Sequence, residues 1–248
     1  MRRYRLVGPR SLSPIVLTCE HAACRLPPRI APRTADERRI LDSHWGWDIG
    51  AWGVAANLAR RLRATAIGGA MSRLVVDLNR AAGDPSLVRT HADGVRLSWN
   101  LGVPADALER RLRTWHTPYH VAIDDQILRR LVRGVRPLLF AVHSFTGIYE
   151  GRTRDFDMGV LFDRSKDEAH LLMRGLRREG LRVRANQPYS GRAGMMYAIH
   201  RHGAHHDLPC LELEMHQDLF ANESAARGIA EVVARALRPV IARREDEA

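Results

Sequence analysis

The sequence predicts an α/β fold, a single-domain αβα sandwich around a mostly parallel β-sheet. Short, nearly continuous apolar runs alternate with longer segments of helical periodicity, which is typical of parallel strands covered by helices on both faces. Hydrophobic residues make up 45% of the 248 residues and charged residues 27%, as in ordinary globular proteins. The sequence contains no internal repeat, low-complexity segment or evident linker. We therefore expect residues 1–248 to form one domain.

The strands are predicted from short runs rich in β-branched and other apolar residues. The first run, residues 14–19, ends at the polar pair Glu20 and His21. The run 138–142 likewise ends at a histidine, His143. Further strands are expected at residues 64–70, 73–77, 158–162, 181–185 and 208–215.

The helices are predicted from apolar residues at helical spacing and from their start signals. Thr34 and Glu37 match a capping box that opens a helix. The helical pattern of residues 104–134 is expected to break near Pro118, because proline lacks a backbone donor. Other helices are expected at residues 47–63, 166–178, 193–201 and 222–243.

The formal charge of +11 and the pI near 10.7 would favour nucleic acid as a partner if the cations were clustered. Lys166 is the single lysine, and the 38 arginines are spread along the chain. A GC-rich coding sequence explains this skew more easily than selection for phosphate contacts. Nucleic acid is therefore not expected as a partner.

The sequence also predicts a cytoplasmic protein without a membrane partner. No apolar stretch approaches the roughly 18 residues that a membrane-spanning helix needs, and residues 1–5 lack the apolar core of a secretory signal. Cys19, Cys24 and Cys210 form neither an even disulfide set nor a C-x-x-C pair. We expect a reducing compartment, with Cys19 and Cys210 buried as small hydrophobic residues.

Polar side chains at the strand ends predict a metal site. Ligands of parallel sheets bind outside the carboxyl ends of the strands, and His21 and His143 end two different predicted strands. Imidazole and carboxylate groups are donors that zinc prefers. A single strand-end histidine is more often structural, but two of them with nearby acids favour a Zn²⁺ site.

Asp48 is the candidate for the third metal ligand. It lies where a predicted helix begins, so its side chain can point back at the edge of the sheet. Aspartate is also a frequent helix N-cap, and spacing alone favours that structural role.

Glu214 is the candidate for a proton-transferring group. Glu212 and Glu214 alternate with leucines, so in a strand both side chains point to one face. Burying both without partners would be costly, and we expect one to face the site. Glu214 lies nearer the carboxyl end, where it can take a proton from metal-activated water. An ion pair with one of the many arginines has about equal weight.

Arg73 and Arg80 flank a predicted strand, and their planar guanidinium groups suit the capture of a substrate carboxylate. The structural alternative pairs Arg80 with Asp77 or Asp84. The longest irregular stretch, residues 81–101, follows directly. Its length predicts a binding loop, a lid or plain disorder.

The remaining histidines are expected to lie outside the metal site. His116 and His120 have i, i+4 spacing but lack the adjacent glutamate of an H-E-x-x-H motif, so we interpret them as packing or surface residues. The histidine-rich segment 200–206 predicts a surface turn before the last strand. His202 would reach the site only if the preceding helix crosses the edge of the sheet.

Five segments of the chain occur in a recognisable order: TCEHAA at 18–23, SRLVVDLNR at 72–80, HSFT at 143–146, NQPYSG at 186–191 and LEMHQDL at 213–219. Together they resemble the N-formylglutamate amidohydrolase family over about residues 14–220, and the segment 72–80 is the most specific. The resemblance implies an αβα sandwich similar to that of zinc carboxypeptidases. It also implies hydrolysis of N-formylglutamate to formate and glutamate.

Carried over residue by residue, the resemblance implies that His21, Asp48 and His143 form the zinc site and that Glu214 is the base. The substrate would be held by Arg73, Asn79, Arg80 and Ser144. Many relatives have an asparagine where this chain has Cys24, which predicts an altered orientation of the substrate.

The expected function is that of a zinc-dependent hydrolase. It would cleave the amide bond of a small acidic N-acyl amino acid, similar to N-formylglutamate, by metal-activated water. Two alternatives remain open: an amidase or peptidase of the same fold that acts on a larger peptide, and a non-catalytic binding protein.

Overall fold

A computed structural model describes residues 3–220 and 222–246 of the chain. In chain order, its strands are β1 (Tyr4–Val7), β2 (Ile15–Cys19), β3 (Thr65–Gly69), β4 (His91–Ala92), β5 (Val95–Arg96), β6 (Leu138–Phe145), β7 (Ile148–Tyr149), β8 (Arg152–Thr153), β9 (Met158–Leu161), β10 (Val183–Ala185) and β11 (Cys210–His216). Seven of them form one sheet in the order β1-β3-β2-β6-β11-β9-β10, while β4-β5 and β7-β8 form two small ribbons. Residues 1, 2, 221, 247 and 248 of the predicted single domain lie outside the described residues.

The sheet is mostly parallel, as predicted. Strands β3, β2, β6 and β11 run parallel to one another in the middle of the sheet. At one edge β1 pairs antiparallel with β3. On the other side β9 pairs antiparallel with β11, and β10 runs parallel to β9. The carboxyl ends of β2, β6 and β11 therefore meet at one edge of the sheet, which positions the site.

Helices cover both faces of the sheet. They are α1 (Ala35–Asp42), α2 (Ala51–Arg61), α3 (Ala105–Arg111), α4 (Thr117–Leu131), α5 (Lys166–Arg178), α6 (Tyr197–His206) and α7 (Glu223–Asp246). One hydrophobic cluster joins a sheet face to α2, α5 and α7, and a second cluster joins the opposite face to α4 and α6. The predicted αβα sandwich is confirmed.

Strand alternation decides which face of the sheet carries the site. In β6, Leu138, Phe140 and Val142 pack towards α2, α5 and α7, while Leu139 and Ala141 pack towards α4 and α6. His143 continues the second series because side chains alternate along a strand. In the register of β6 with β11, Glu214 lies directly opposite His143. Histidine and glutamate are thus neighbours on one face.

Residues 73–77 are not a strand, so that prediction is wrong. They lie within a run of buried turns, in which Val75 N–H donates to Ser72 O at 2.9 Å. The Ser72 hydroxyl in turn donates to Gly46 O at 2.7 Å. The segment is apolar because it is buried, and its backbone groups are satisfied by turns instead of a strand ladder.

The predicted break at Pro118 takes a different form. After α3 the chain makes a π-helical turn, Leu112–His116, and continues into α4 with Pro118 in its first turn. The helix is continuous through this π-turn, which lies directly before Pro118 and accommodates the missing backbone donor of proline without an interruption.

The structure differs from the predicted elements in three further places. Strand β1 was not predicted, because its four residues are only half buried and show no apolar run. Helix α6 extends to His206, so the prediction of a surface turn at 200–206 is wrong. The irregular stretch 81–101 contains the β4-β5 ribbon and a 3-10 turn.

The capping box at Thr34 is confirmed: its hydroxyl accepts the N–H of Glu37 at 3.1 Å. Within the described ranges, no helix is both long enough and apolar enough to cross a membrane.

Candidate metal centre and active-site cavity

A cavity of about 840 Å³, partly open to solvent, lies at the carboxyl ends of β2, β6 and β11. The eight residues that the sequence predicts for the site all line it: His21, Asp48, Arg73, Asn79, Arg80, His143, Ser144 and Glu214. They come from segments far apart in the chain, and the sheet brings them together.

His21, Asp48 and His143 converge at the floor of this cavity. The two imidazole rings lie 5.1 Å apart between centroids. Asp48 lies between them, with one carboxylate oxygen 3.4 Å from His21 Nδ1 and the other 2.7 Å from His143 Nδ1. One ligand atom of each residue lies within 4.8 Å of the other two. The three side chains therefore form a compact, buried donor set.

Asp48 is not a helix N-cap. Gly50 occupies the N-cap of α2, with a left-handed φ of +79°. A Cβ at Gly50 would lie 2.1 Å from a ring carbon of Phe220, so only glycine fits there. The backbone N–H of Asp48 donates to His21 O at 3.0 Å, which fixes its side chain beside the histidine.

The outer nitrogen of each imidazole binds a second carboxylate. His21 Nε2 lies 2.7 Å from Asp77 Oδ1, and His143 Nε2 lies 2.8 Å from Glu20 Oε2. Tyr119 donates its hydroxyl to the other oxygen of Glu20 at 2.8 Å. Metal-ligating histidines usually donate their second nitrogen to such an acceptor, which fixes the tautomer and the ring orientation.

The site residues fit a metal ion. His21 Nδ1 is buried and has no hydrogen-bond partner within the described chain, and it faces the carboxylate of Asp48. Burial alone would lower the pKa of His143, yet the carboxylates of Glu212, Asp48 and Glu20 raise it well above its ordinary value. The surroundings thus stabilise positive charge between the two rings. Two imidazoles and a carboxylate are a donor set that zinc prefers.

Glu212 and Glu214 are both buried and both line the cavity. Burial raises the pKa of Glu212 to about 7, and this carboxylate lies 3.7 Å from His143 Nε2. Burial also raises the pKa of Glu214 well above its ordinary value, and the charge of Glu212 adds to that effect. A carboxylate with a raised pKa is a better proton acceptor near neutral pH.

Glu214 forms no ion pair with an arginine of the described chain, so the structural alternative is wrong. Its Oε2 is buried without any hydrogen-bond partner there. The carboxylate is therefore free to act inside the cavity.

Arg73 lies against the metal-site carboxylates. Its guanidinium group donates to Asp77 Oδ2 at 2.9 Å and lies 3.7 Å from Asp48 Oδ1. The positive charge of Arg73 lowers the pKa of Asp77 well below its ordinary value, although burial alone would raise it. Arg73 thus keeps Asp77 ionised as the partner of His21.

Asn79, Arg80 and Ser144 shape the cavity wall. The Asn79 amide donates to Met195 O at 3.2 Å and accepts Ala198 N–H at 2.9 Å, which joins two segments of the wall. Ser144 donates its hydroxyl to the backbone at 2.8 Å.

The Arg80 guanidinium forms no ion pair with the carboxylate of Asp77 or Asp84, so the predicted structural pairing is wrong; only the Arg80 backbone N–H donates to Asp77 O, at 3.3 Å. The guanidinium donates to Ser86 Oγ at 3.0 Å and to Asn79 O at 2.8 Å. Both acceptors are neutral, so the charge of Arg80 stays available to the cavity.

Sequence reasoning missed several residues of the cavity. Glu20 and Asp77 were visible beside predicted strand ends, but their role as partners of the histidine rings depends on contacts between distant segments. His44, Trp45, Arg89 and Tyr149 also line the wall and carried no motif signal, and Tyr189 lines it from the NQPYSG segment, where no role was predicted for it. Burial lowers the pKa of His44, and its Nε2 has no partner within the described residues.

His116, His120 and His202 form a separate buried group that does not line the cavity. His120 Nδ1 lies 2.9 Å from His202 Nε2, and His202 Nδ1 lies 2.7 Å from Asp124. His116 Nε2 lies 2.9 Å from the backbone oxygen of Arg80. His116 and His120 are packing residues, one of the two predicted roles. His202 lies in the same buried group, away from the metal centre.

Comparison with known proteins decides the family. A family model described as N-formylglutamate amidohydrolase matches residues 13–221. The chain belongs to this family. An N-formylglutamate deformylase of Pseudomonas aeruginosa is 29% identical over 176 residues, and the match spans 64% of this chain and 64% of that relative.

Solved structures of the same shape include two bacterial proteins. A gene product of Agrobacterium tumefaciens is similar with a TM-score of 0.87 and 28% identity, over 96% of this chain and 95% of that one. An N-formylglutamate amidohydrolase from Ralstonia eutropha is similar with a TM-score of 0.77 and 18% identity, over 99% of both chains. At that identity the second likeness concerns the fold alone.

Proposed function

We propose that this N-formylglutamate amidohydrolase family member is a zinc-dependent hydrolase of small acidic N-acyl amino acids. The N-formyl group of N-formylglutamate is the acyl group we expect it to remove. Family membership and the name of the Pseudomonas aeruginosa relative support an amide hydrolase. The residues of the cavity support the metal, the mechanism and the acidic substrate.

The observation that carries the proposal is the arrangement around Asp48. His21 and His143 each turn Nδ1 towards this carboxylate, and each is held by a second carboxylate at Nε2. A structural histidine needs no second anionic partner, whereas a metal-ligating histidine gains orientation and basicity from one. Zinc held by these three residues would supply Lewis-acid chemistry that polarises the amide carbonyl and acidifies water.

Glu214 is proposed as the group that moves the proton. The oxygen of water bonds to the carbonyl carbon while Glu214 accepts its proton, and the C–N bond then breaks as Glu214 passes that proton to the leaving nitrogen. The products are formate and an amino acid. Burial in the cavity and the charge of Glu212 keep the Glu214 carboxylate basic enough for both transfers.

The arginines of the wall support an anionic substrate. Arg80 presents a guanidinium group whose described partners are neutral oxygens, and such a group suits a carboxylate. Asn79 and Ser144 hold the wall around it, and Arg73 lies between this wall and the metal centre. We propose that the substrate carboxylate binds at Arg80, with the scissile amide directed at Asp48 and Glu214.

Metal analysis combined with a product assay tests the proposal. We expect the purified protein to contain about one zinc ion and to release formate and free amine from N-formyl-L-glutamate. Substitution His143→Ala should remove both properties, while Arg96→Gln, an exposed change outside the cavity, should keep both. Release of amine only from longer peptides would contradict the proposal and show that the protein is a peptidase. Ligand binding without any turnover would show that the protein is a non-catalytic binding protein.

A further inference from the structure

Arg89 is a cavity residue that no motif assigns. It lies in the segment between the 72–80 turns and α3, and it lines the same wall as Arg80. Its guanidinium group forms no hydrogen bond or ion pair with any residue in the described part of the chain. It stacks over the Trp45 ring, 5.8 Å from the ring centroid. Arg89 is therefore a half-buried cation without an anion.

The backbone of Arg89 is held in place, so its position is not accidental. Asn100 donates to both Arg89 O and Leu74 O, each at 2.7 Å. Buried Arg111 fixes Asn100 in turn, with 2.7 Å between the guanidinium and the Asn100 amide oxygen. This bracing joins the Arg89 segment to the turns that carry Arg73. The stacked guanidinium group thus keeps a defined place in the wall.

The charges of the three wall arginines are not equally compensated. Arg73 is paired with Asp77 and Asp48, whereas Arg80 donates to neutral oxygens and Arg89, which has no ion pair in the described part of the chain, stacks on Trp45. Burial, together with the charge of Arg73, lowers the pKa of Arg89, so the free protein holds this charge at a cost. An incoming anion would relieve that cost. Two cations on one wall, neither with a direct ion pair in the described part of the chain, match a substrate with two carboxylates.

We propose that Arg89 is a specificity residue that binds the side-chain carboxylate of the substrate, while Arg80 binds the carboxylate next to the scissile amide. The inference rests on the proposed hydrolysis of an acidic N-acyl amino acid. It assigns the preference for an acidic side chain to one residue outside the family motifs. The neutral amide analogue would leave the Arg89 charge unmatched.

The test compares two substrates that differ only in this group, N-formyl-L-glutamate and N-formyl-L-glutamine. In Arg89→Gln, kcat/KM for N-formyl-L-glutamate should fall about 10- to 100-fold, mainly through KM, because one charge-assisted contact is lost. The value for N-formyl-L-glutamine should stay within about twofold. Arg89→Lys, which keeps the charge without the planar fork, should fall in between. Arg96→Gln, an exposed change on the same segment, serves as control.

Calorimetric binding of L-glutamate and L-glutamine gives a second readout that needs no turnover. Arg89→Gln should weaken L-glutamate binding and leave L-glutamine binding unchanged. An equal loss for both ligands, or no loss for either, would overturn the assignment of Arg89. If the wild-type protein releases formate from neither substrate, the proposed hydrolysis fails. In that case calorimetry alone tests the assignment of Arg89. A wild-type protein that does not bind L-glutamate would contradict that assignment.

Discussion

At the residue scale, the centre is defined by pairs of carboxylates around two imidazoles. Each histidine hydrogen-bonds one carboxylate at Nε2, and the two share Asp48 at Nδ1. Burial alone would raise the pKa of Glu20, but its hydrogen bond to His143 lowers it to about 2. Glu20 is thus ionised at every pH at which the protein would work. The histidines are oriented by fixed charges and not by neutral packing.

Glu214→Gln should separate proton transfer from metal binding. Because glutamine keeps the shape but cannot accept the proton, turnover should fall by about 10²- to 10⁴-fold, while the zinc content stays at the wild-type level. Formate release and elemental analysis measure the two properties. Glu231→Gln, an exposed change on α7, is the control. A loss of zinc in Glu214→Gln would make Glu214 a ligand instead of the base.

Asp77→Asn should weaken the metal site without touching a proposed ligand. Asp77 accepts from His21 Nε2 and from Arg73, so its loss of charge leaves the His21 ring less basic and less firmly held. Zinc affinity should fall about 10- to 100-fold, measured by competition with a chromophoric chelator. Asp84→Asn, which removes a carboxylate that lines no part of the cavity, should have no effect. Equal affinity in both variants would remove Asp77 from the metal centre.

At the scale of elements, apolar composition reports burial and not pairing. Strand β6 and residues 73–77 are both buried apolar runs, yet only β6 forms a strand. The backbone of β6 pairs with neighbours on both sides, while that of 73–77 is satisfied by turns. Packing also decides which helices are neighbours. Helix α7 packs on α2 and α5 and thus belongs to the same core, although the family match ends before it, at residue 221.

Two helix glycines, one at the contact of α5 with α7 and one on the exposed side of α7, are predicted to respond oppositely to substitution by alanine. A Cβ at Gly175 would lie 2.8 Å from Ala236 Cα, so Gly175→Ala should push the helices apart. We expect a loss of about 1–2 kcal/mol in the free energy of unfolding, since overpacking exceeds the gain in helix propensity.

At Gly228, on the exposed side of α7, an added Cβ meets nothing within 4 Å. Gly228→Ala should therefore stabilise the protein by about 0.5–1 kcal/mol. Urea unfolding of both variants checks the pair. A stabilised Gly175→Ala would show that the helices separate without cost.

At the scale of the whole molecule, a protein with a formal charge of +11 concentrates negative charge at one buried point. Glu20, Asp48 and Asp77 are buried around the two histidines, and although burial alone would raise the pKa of each, their cationic partners hold it below its ordinary value. Arg73 compensates part of this charge. Buried carboxylates without enough cations destabilise the folded state, so a divalent cation at Asp48 would stabilise the whole fold.

Removal and return of metal should therefore change the thermal stability. At a zinc concentration about 100 times the dissociation constant, linkage predicts about 2.7 kcal/mol of stabilisation, or a rise in Tm of roughly 5–10 °C for a chain of this size. Chelator-treated protein should show the lower Tm, and added Zn²⁺ should restore it. Mg²⁺ at the same concentration and zinc-treated His143→Ala should give no rise. An unchanged Tm on zinc addition would argue against a metal centre.

Local sequence patterns were enough to predict the layer architecture and the first set of site residues. Hydrophobic period and start signals are local, so they predicted the αβα sandwich and most of its strands and helices. The positions of His21 and His143 at strand ends were local too, and the parallel sheet then required them to lie on one edge. The segment 73–77 shows the limit of local patterns, because burial gives turns and strands the same composition.

The side chains that complete the site are brought there by contacts between distant segments of the chain. The partner of His143 at Nε2 lies 123 residues away in the chain, and that of His21 lies 56 residues away. Asp48 lies beside the two imidazoles and not at the N-cap of α2, which Gly50 occupies. Arg89 became a cavity residue because Asn100 holds its backbone. Such contacts depend on the packing of distant segments, and spacing along a chain carries no record of them.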